Sequence, residues 1–390
     1  MDPKKTERVK KLKKSGVDKA SVVGGTVVTD LSLSNKSNNL EKEVLFMREG
    51  KTINGIGLDI GTAFLVSARL NENNETVFKS YRDAFYTIKP VSKINAKFIE
   101  KGLTERKLDF AYDGDVFVVT GAGAITLANE RRDRVRRPLS RGVVSPKEKY
   151  AIPMLKKIIK TLVGTPSVDG EKCVYSIPAK PIDSDFNIAY HTTVVNNFLY
   201  QELGLTPIAL NEGEALVYSE LMDEGLTGIT LSFGAGMVNV CIASSGDPII
   251  KFSIAHGGDF IDNEVAKSVD ITPELAQAEK ESNDFTLINP SGYIQEAISI
   301  HCVDLISYVL KQIEYEFVKL SKESKLPVFS QPLTVVISGG TSKPGGFVDK
   351  FHECLAKVSL PVAIGKVKQA SDPLTAVAKG CLFYALEASI

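Results

Sequence analysis

Asp59 is the first residue whose position could do chemistry. It sits near the end of a short apolar run, Gly-Ile-Gly-Leu-Asp-Ile-Gly-Thr-Ala at 55–63, just before a Gly61-Thr62 turn. Two readings stay open at that level. Either a hairpin happens to carry an acid, or the stretch is a phosphate site. In the second case Asp59 faces a metal ion, and Gly61 and Thr62 offer N–H groups to oxygens. A related turn, Gly234-Ala235-Gly236, follows a second apolar run at 228–233. One phosphate chain gripped from both sides would explain why such a turn occurs twice.

Composition limits what else the chain can be. With 390 residues it is long enough for two or three full cores. Its formal net charge is zero, so any attraction to an anionic surface must come from local patches. No specific nucleic-acid binding is expected. The five cysteines are far apart and form no C-x-x-C pair, which suggests neither a zinc site nor a disulfide framework. A reduced, cytoplasmic setting is expected. No apolar run has transmembrane length.

The elements that must hold the two turns follow from periodicity. Residues 1–50 carry a basic run, PKKTERVKKLKK, and a Ser/Asn-rich stretch, and are expected to be a disordered tail. That tail is either a solvated segment or a tether to an anionic surface or acidic partner. From Ile53, β-type runs joined by Gly and Asn turns predict an antiparallel meander. Helical spacing follows at 152–162, then a buried strand at KCVYSIPA, then a helix ending at Gly204. The pattern restarts at 228–244 and runs through a long helix near 298–320. It closes with a buried strand, a Gly339-Gly340 turn and a last helix capped by Ser371 or Asp372, with Pro373 in its first turn. The chain therefore reads as two similar α/β halves. The expected limits are 51–205, with an outer part at about 82–130, and 206–390, with an outer part at about 260–326.

Six stretches in this order resemble the actin and heat-shock-chaperone ATPase superfamily, and within it the bacterial actins of the MreB and MamK type. They are GIGLDIGTA, SIPA, ALNEGEALVYSEL, LSFGAGMVNV, AHGGDFID and VVISGGTSKPGGFVDKF; RPLSRGVVSP and DPLTAVAKG point to the bacterial actins in particular. The resemblance runs from Ile53 to the end. It implies two duplicated actin-like (ribonuclease-H-like) domains around an interdomain nucleotide cleft, with ATP and Mg2+ as cofactors. It also implies roles. Asp59 would hold magnesium through water and, with Glu212, serve catalysis. Glu212 would orient the attacking water. Gly61, Thr62, Gly234 and Gly236 would hold phosphate, and Gly258 would be among the nucleotide-binding residues. Gly339 and Gly340 would pass close to the adenosine, and Lys280 would contact ribose or base. Each has a plainer alternative: a turn cap for Asp59, a helix-start acid for Glu212, an ordinary strand-to-helix turn for Gly339-Gly340, a solvated lysine for Lys280. The six arginines between 131 and 141 are read as a solvated segment, or as a filament or acidic-partner contact.

The second turn departs from the family pattern. Ser232 stands where the family has aspartate, and Met237 where it has threonine. Neither supplies what the family residue would bring to the metal or the terminal phosphate. In the first turn Phe64 stands where Asn is usual. ATP binding with slow or impaired hydrolysis is therefore expected, in a self-assembling filament protein of cytoskeletal type. The alternatives are a non-polymerising adaptor of the FtsA or PilM type and, on weaker grounds, a sugar kinase. A heat-shock chaperone is not expected, because no peptide-binding segment follows the core.

Overall fold

The computed structural model describes residues 54–131 and 133–388, and the backbone of two short strands, β1 (Ser21–Val23) and β2 (Thr26–Val28). These two strands pair antiparallel. They fall within the segment read from the sequence as a tail, where valines on either side of Gly24-Gly25 form a two-residue hairpin signal. The remainder of the expected tail lies outside the described residues.

The first half opens with the meander β3 (Ile56–Ile60), β4 (Phe64–Leu70) and β5 (Thr76–Arg82). An outer unit follows: β6 (Phe85–Ile88), α1 (Lys93–Glu105), β7 (Phe110–Tyr112), β8 (Phe117–Thr120) and α2 (Ala122–Glu130), with a small core of its own. The hairpin β9 (Leu139–Ser140) and β10 (Val143–Val144) leads into α3 (Ala151–Val163). Next come β11 (Lys172–Ile177), α4 (Ile188–Asn197) and β12 (Thr206–Asn211). The sheet order is β5-β4-β3-β11-β12. β3 to β5 run antiparallel, while β11 and β12 run parallel to β3.

After α5 (Glu212–Glu220) the plan repeats. β13 (Gly228–Phe233), β14 (Val238–Ser244) and β15 (Asp247–Ile254) form the second meander. The helices α6 (Gly258–Val269), α7 (Pro273–Lys280) and α8 (Gly292–Lys322) follow, then β16 (Leu333–Ser338), α9 (Phe347–Leu355), β17 (Ile364–Gln369) and α10 (Ala376–Glu387). This sheet has the order β15-β14-β13-β16-β17, the same topology and the same pattern of directions. The duplication expected from the sequence is therefore present in the strand order itself.

Two boundaries differ from expectation. The division after residue 205 cuts β12 from its sheet: parallel pairing with β11 from Lys172↔Thr206 to Ile177↔Asn211 keeps it in the first half. The last helix begins at Ala376 rather than near Pro373. The Asp372 side chain accepts from the Leu374 N–H at 3.0 Å and closes a local turn first.

The halves are joined by exchanged helices. α5 leaves the first sheet and packs on β13 and β14 of the second; α10 leaves the second sheet and packs on β3 and β11 of the first. Small residues make this possible. A Cβ on Gly380 would run into the Ala215 carbonyl, and one on Gly57 into the backbone of α10 at Ala378 and Leu382. Ala378 and Gly380 thus lie in close helix contacts at the junction of the halves. Among the described residues no helix is long and apolar enough to cross a membrane, and all five cysteines are free and buried.

Candidate functional site

The two Gly turns face each other across one cavity. A Cβ on Gly236 would strike the Thr62 hydroxyl and lie 2.9 Å from the Arg141 Cα, so only glycine allows the second turn this close to the first half. The cavity encloses about 370 Å³ between the halves, within the usual size of a small-molecule site. Asp59, Gly61, Thr62, Glu212, Gly234, Gly236, Gly258, Lys280, Gly339 and Gly340 all line it. The residues singled out from the sequence are thus all brought together.

Asp59 sits on β3, next to its end, where the strand delivers the side chain to the cavity floor. The Ser176 hydroxyl donates to its Oδ1 at 2.8 Å and accepts the Ile60 N–H at 2.8 Å. This fixes the carboxyl from the neighbouring strand. Glu212 is the first residue of α5, behind an Asn211 cap that accepts from the N–H groups of Gly213 and Glu214. The Ser232 hydroxyl donates to Glu212 Oε2 at 3.3 Å.

The two carboxyls share an electrostatic problem. Burial pushes the Asp59 carboxyl up, opposed in part by the Ser176 hydrogen bond. Burial also pushes Glu212 up, and the neighbouring Asp59 charge adds to it; hydrogen bonds from Ser232 and Asn239 act the other way. Two buried acids that resist ionising together are a place where a cation is welcome. Among the described residues no group of three or more His, Cys, Asp or Glu is arranged to hold a metal on its own.

The departures from the family pattern have structural consequences. Ser232 supplies Glu212 with a donor where an aspartate would add a third acid. Met237 is buried, and a Cβ on Gly142 would come within 2.8 Å of its sulfur. It fills the seam between the second turn and the β9–β10 hairpin, whose Gly142 N–H donates to the Thr62 hydroxyl at 2.9 Å.

Lys280 is not the solvated lysine of its plainer alternative. Its ammonium is buried and donates to Asp262 Oδ1 at 2.6 Å and to the Gly258 carbonyl at 2.9 Å. It ties the last residue of α7 to the start of α6 at the cavity wall. Gly339, at φ +90°, has its Cα side pressed on the Phe233 backbone, where a side chain has no room.

Sequence reading missed the ties between the halves beside the cavity. Arg137 of the first half pairs with both oxygens of Asp259, at 2.8 and 2.9 Å, at the start of α6. Arg82 reaches Glu281 at 3.4 Å and stacks over the Phe64 ring at 4.4 Å. Arg136 is bound within the first half to Glu148. Arg136 and Arg137 are therefore committed internally, which narrows the solvated-segment reading of the arginine run. Glu148 is only 12 positions from Arg136, but Asp259 and Glu281 lie 122 and 199 positions from Arg137 and Arg82, beyond any local motif.

Comparison with known proteins identifies this arrangement. The sequence profile of the Volactin family matches residues 55–385. The chain belongs to the Volactin family. Comparison with curated protein sequences finds no match. Among solved structures, Volactin-family membership sits beside likeness to a MamK double helical filament, with TM-score 0.62 and 18% identity, covering 86% of this chain and 99% of that one. MreB5 of Spiroplasma citri bound to ADP has TM-score 0.59 and 16% identity, covering 87% and 98%. The ethanolamine utilization protein EutJ from Carboxydothermus hydrogenoformans has TM-score 0.50 and 16% identity, covering 88% and 98%. At such identities the likeness shows the fold: this Volactin-family chain has the actin-like fold, with two mixed five-stranded sheets as its duplicated domains.

Proposed function

We propose that the chain binds ATP with magnesium between its halves, assembles into filaments and hydrolyses the nucleotide slowly. The observation that carries this reading is the meeting of both Gly turns over the Asp59–Glu212 pair in one cavity. Gly-rich turns of this kind, lining the cavity from both halves, are a usual means of holding phosphate. Asp59 and Glu212 fit a magnesium ion, which keeps several waters and takes one or two carboxylates plus phosphate oxygens. When bound, that ion would neutralise phosphate charge. Glu212 would orient the attacking water, while Gly61, Thr62, Gly234 and Gly236 hold the phosphates. The α6–α7 wall with Lys280 and the Gly339-Gly340 turn would border the nucleoside. MreB5 bound to ADP and a MamK mutant bound to AMPPNP support nucleotide as the ligand; the MamK filament supports self-association.

Ser232 and Met237 support slow turnover. Losing one positioned donor at such a site costs about a hundredfold or more in rate. The same two residues favour the second reading, a nucleotide-binding adaptor that does not polymerise. Calorimetric titration with ATP, with and without magnesium, tests the binding claim. Asp59→Ala is expected to abolish the magnesium-dependent part of the affinity. An unchanged affinity would remove Asp59 from the site.

A further inference from the structure

We propose that the exposed start of α1 in the outer unit of the first half is a docking surface for an anionic lipid bilayer. Val91, Ile94 and Phe98 are 90%, 71% and 69% exposed. The fold does not need them there. The inner face of α1 is already filled by Leu103, with Ala96 and Ile99 packed on the outer unit's core. The backbone that carries them is fixed at the helix start. Ser92 caps the helix by accepting the Asn95 N–H, and the Asn95 side chain accepts the Val91 N–H, both at 3.1 Å. Ile94 and Phe98, four apart, share one side of the helix.

A row of lysines runs beside them. Lys93, Lys97 and Lys101 are also four apart, and Lys89 precedes. Lys93 and Lys97 have no ion-pair partner among the described residues. Lys89 and Lys101 make only long, exposed contacts of 3.7 Å, with Asp115 and Glu105. An apolar ridge flanked by lysines suits a bilayer interface, with apolar tips among acyl chains and ammonium groups at phosphates. The charge also argues against a two-fold contact between copies through this face, which would oppose like lysine rows. One weak anchor gives marginal binding, and a polybasic segment is the usual second signal. The sequence carries one: seven lysines and arginines between residues 4 and 14. With zero formal net charge, the attraction must be local to such patches.

The test is flotation of the full chain with vesicles of phosphatidylcholine alone or mixed with phosphatidylglycerol, at low and high salt. The protein is expected to float with the mixed vesicles, not with the neutral ones, and less at high salt. The triple variant Val91→Ser, Ile94→Ser, Phe98→Ser is expected to lose about tenfold in vesicle affinity. Its melting temperature and its ATP affinity should stay unchanged, because the three residues are exposed and remote from the cavity. Lys93→Gln with Lys97→Gln should weaken binding to the mixed vesicles alone. Absence of flotation with either vesicle overturns the proposal. So does a triple variant that floats like the wild type, which would leave the basic run as the sole anchor. A triple variant that loses only filament formation overturns it too, making the ridge a contact between copies.

Discussion

Glu212 holds the strongest conflict at the residue scale: it is buried, it faces Asp59, and its carboxyl is pushed above its ordinary value of 4.5. The folded chain therefore keeps a proton that the unfolded chain releases, and stability falls as pH rises above that value. Glu212→Gln removes the conflict. Thermal melts of the nucleotide-free protein across pH should show a flatter profile for the variant and a higher melting temperature on the alkaline side. An identical profile would place the titration elsewhere. Ser232→Asp acts in the opposite sense. It sets a third acid beside Glu212, whose Oε2 is 3.3 Å from the Ser232 hydroxyl. The nucleotide-free variant should lose on the order of 1–3 kcal/mol, read from denaturant unfolding, and magnesium with ATP should recover part of it. Asp59, Gly61, Thr62 and Glu212 were legible in the sequence because a local motif carries each of them. Ser176 was not, nor was the burial of Met237. Ser176 acts on Asp59 from 117 positions away, and the burial of Met237 depends on a hairpin nearly a hundred residues earlier.

At the scale of elements, the exchanged helices α5 and α10 fix how the halves sit together. Gly380→Ala forces a methyl group into the Ala215 carbonyl, and backbone cannot yield as a flexible side chain would. A loss of about 1–3 kcal/mol follows, seen as a lowered melting temperature; a neutral result would mean that α10 can shift. The Arg137–Asp259 pair joins the two halves, with Asp259 lining the cavity. Both partners are partly exposed, which limits its strength. Arg137→Ala should still speed nucleotide release several-fold in stopped-flow measurements, and in Asp259→Ala the added Arg137→Ala should change little. Additive effects would show that the pair does not act as a latch. The two meanders and the long helices were readable from periodicity, since each half repeats the same alternation of period 2 and period 3.6; the strand order and the helix α1 were not. Boundaries were less legible. The place of β12 depends on pairing with β11, and the start of α10 on an Asx turn, and neither is a property of one local stretch.

For the whole molecule, two sheets of one topology, bridged by helices that each pack on the opposite half, flank the cavity. A ligand that touches both Gly turns favours the arrangement in which they face each other by its differential contacts there. The actin-like fold also serves proteins that do not polymerise, so self-assembly is the claim on which the account turns. Negative-stain electron microscopy of the full chain with magnesium and ATP, with ADP, and without nucleotide tests it directly. The account predicts filaments with ATP that persist, because turnover is slow, and few or none without nucleotide. Monomers alone across all nucleotides and salt concentrations, from protein that binds ATP in calorimetry, would contradict it and leave the adaptor reading in its place.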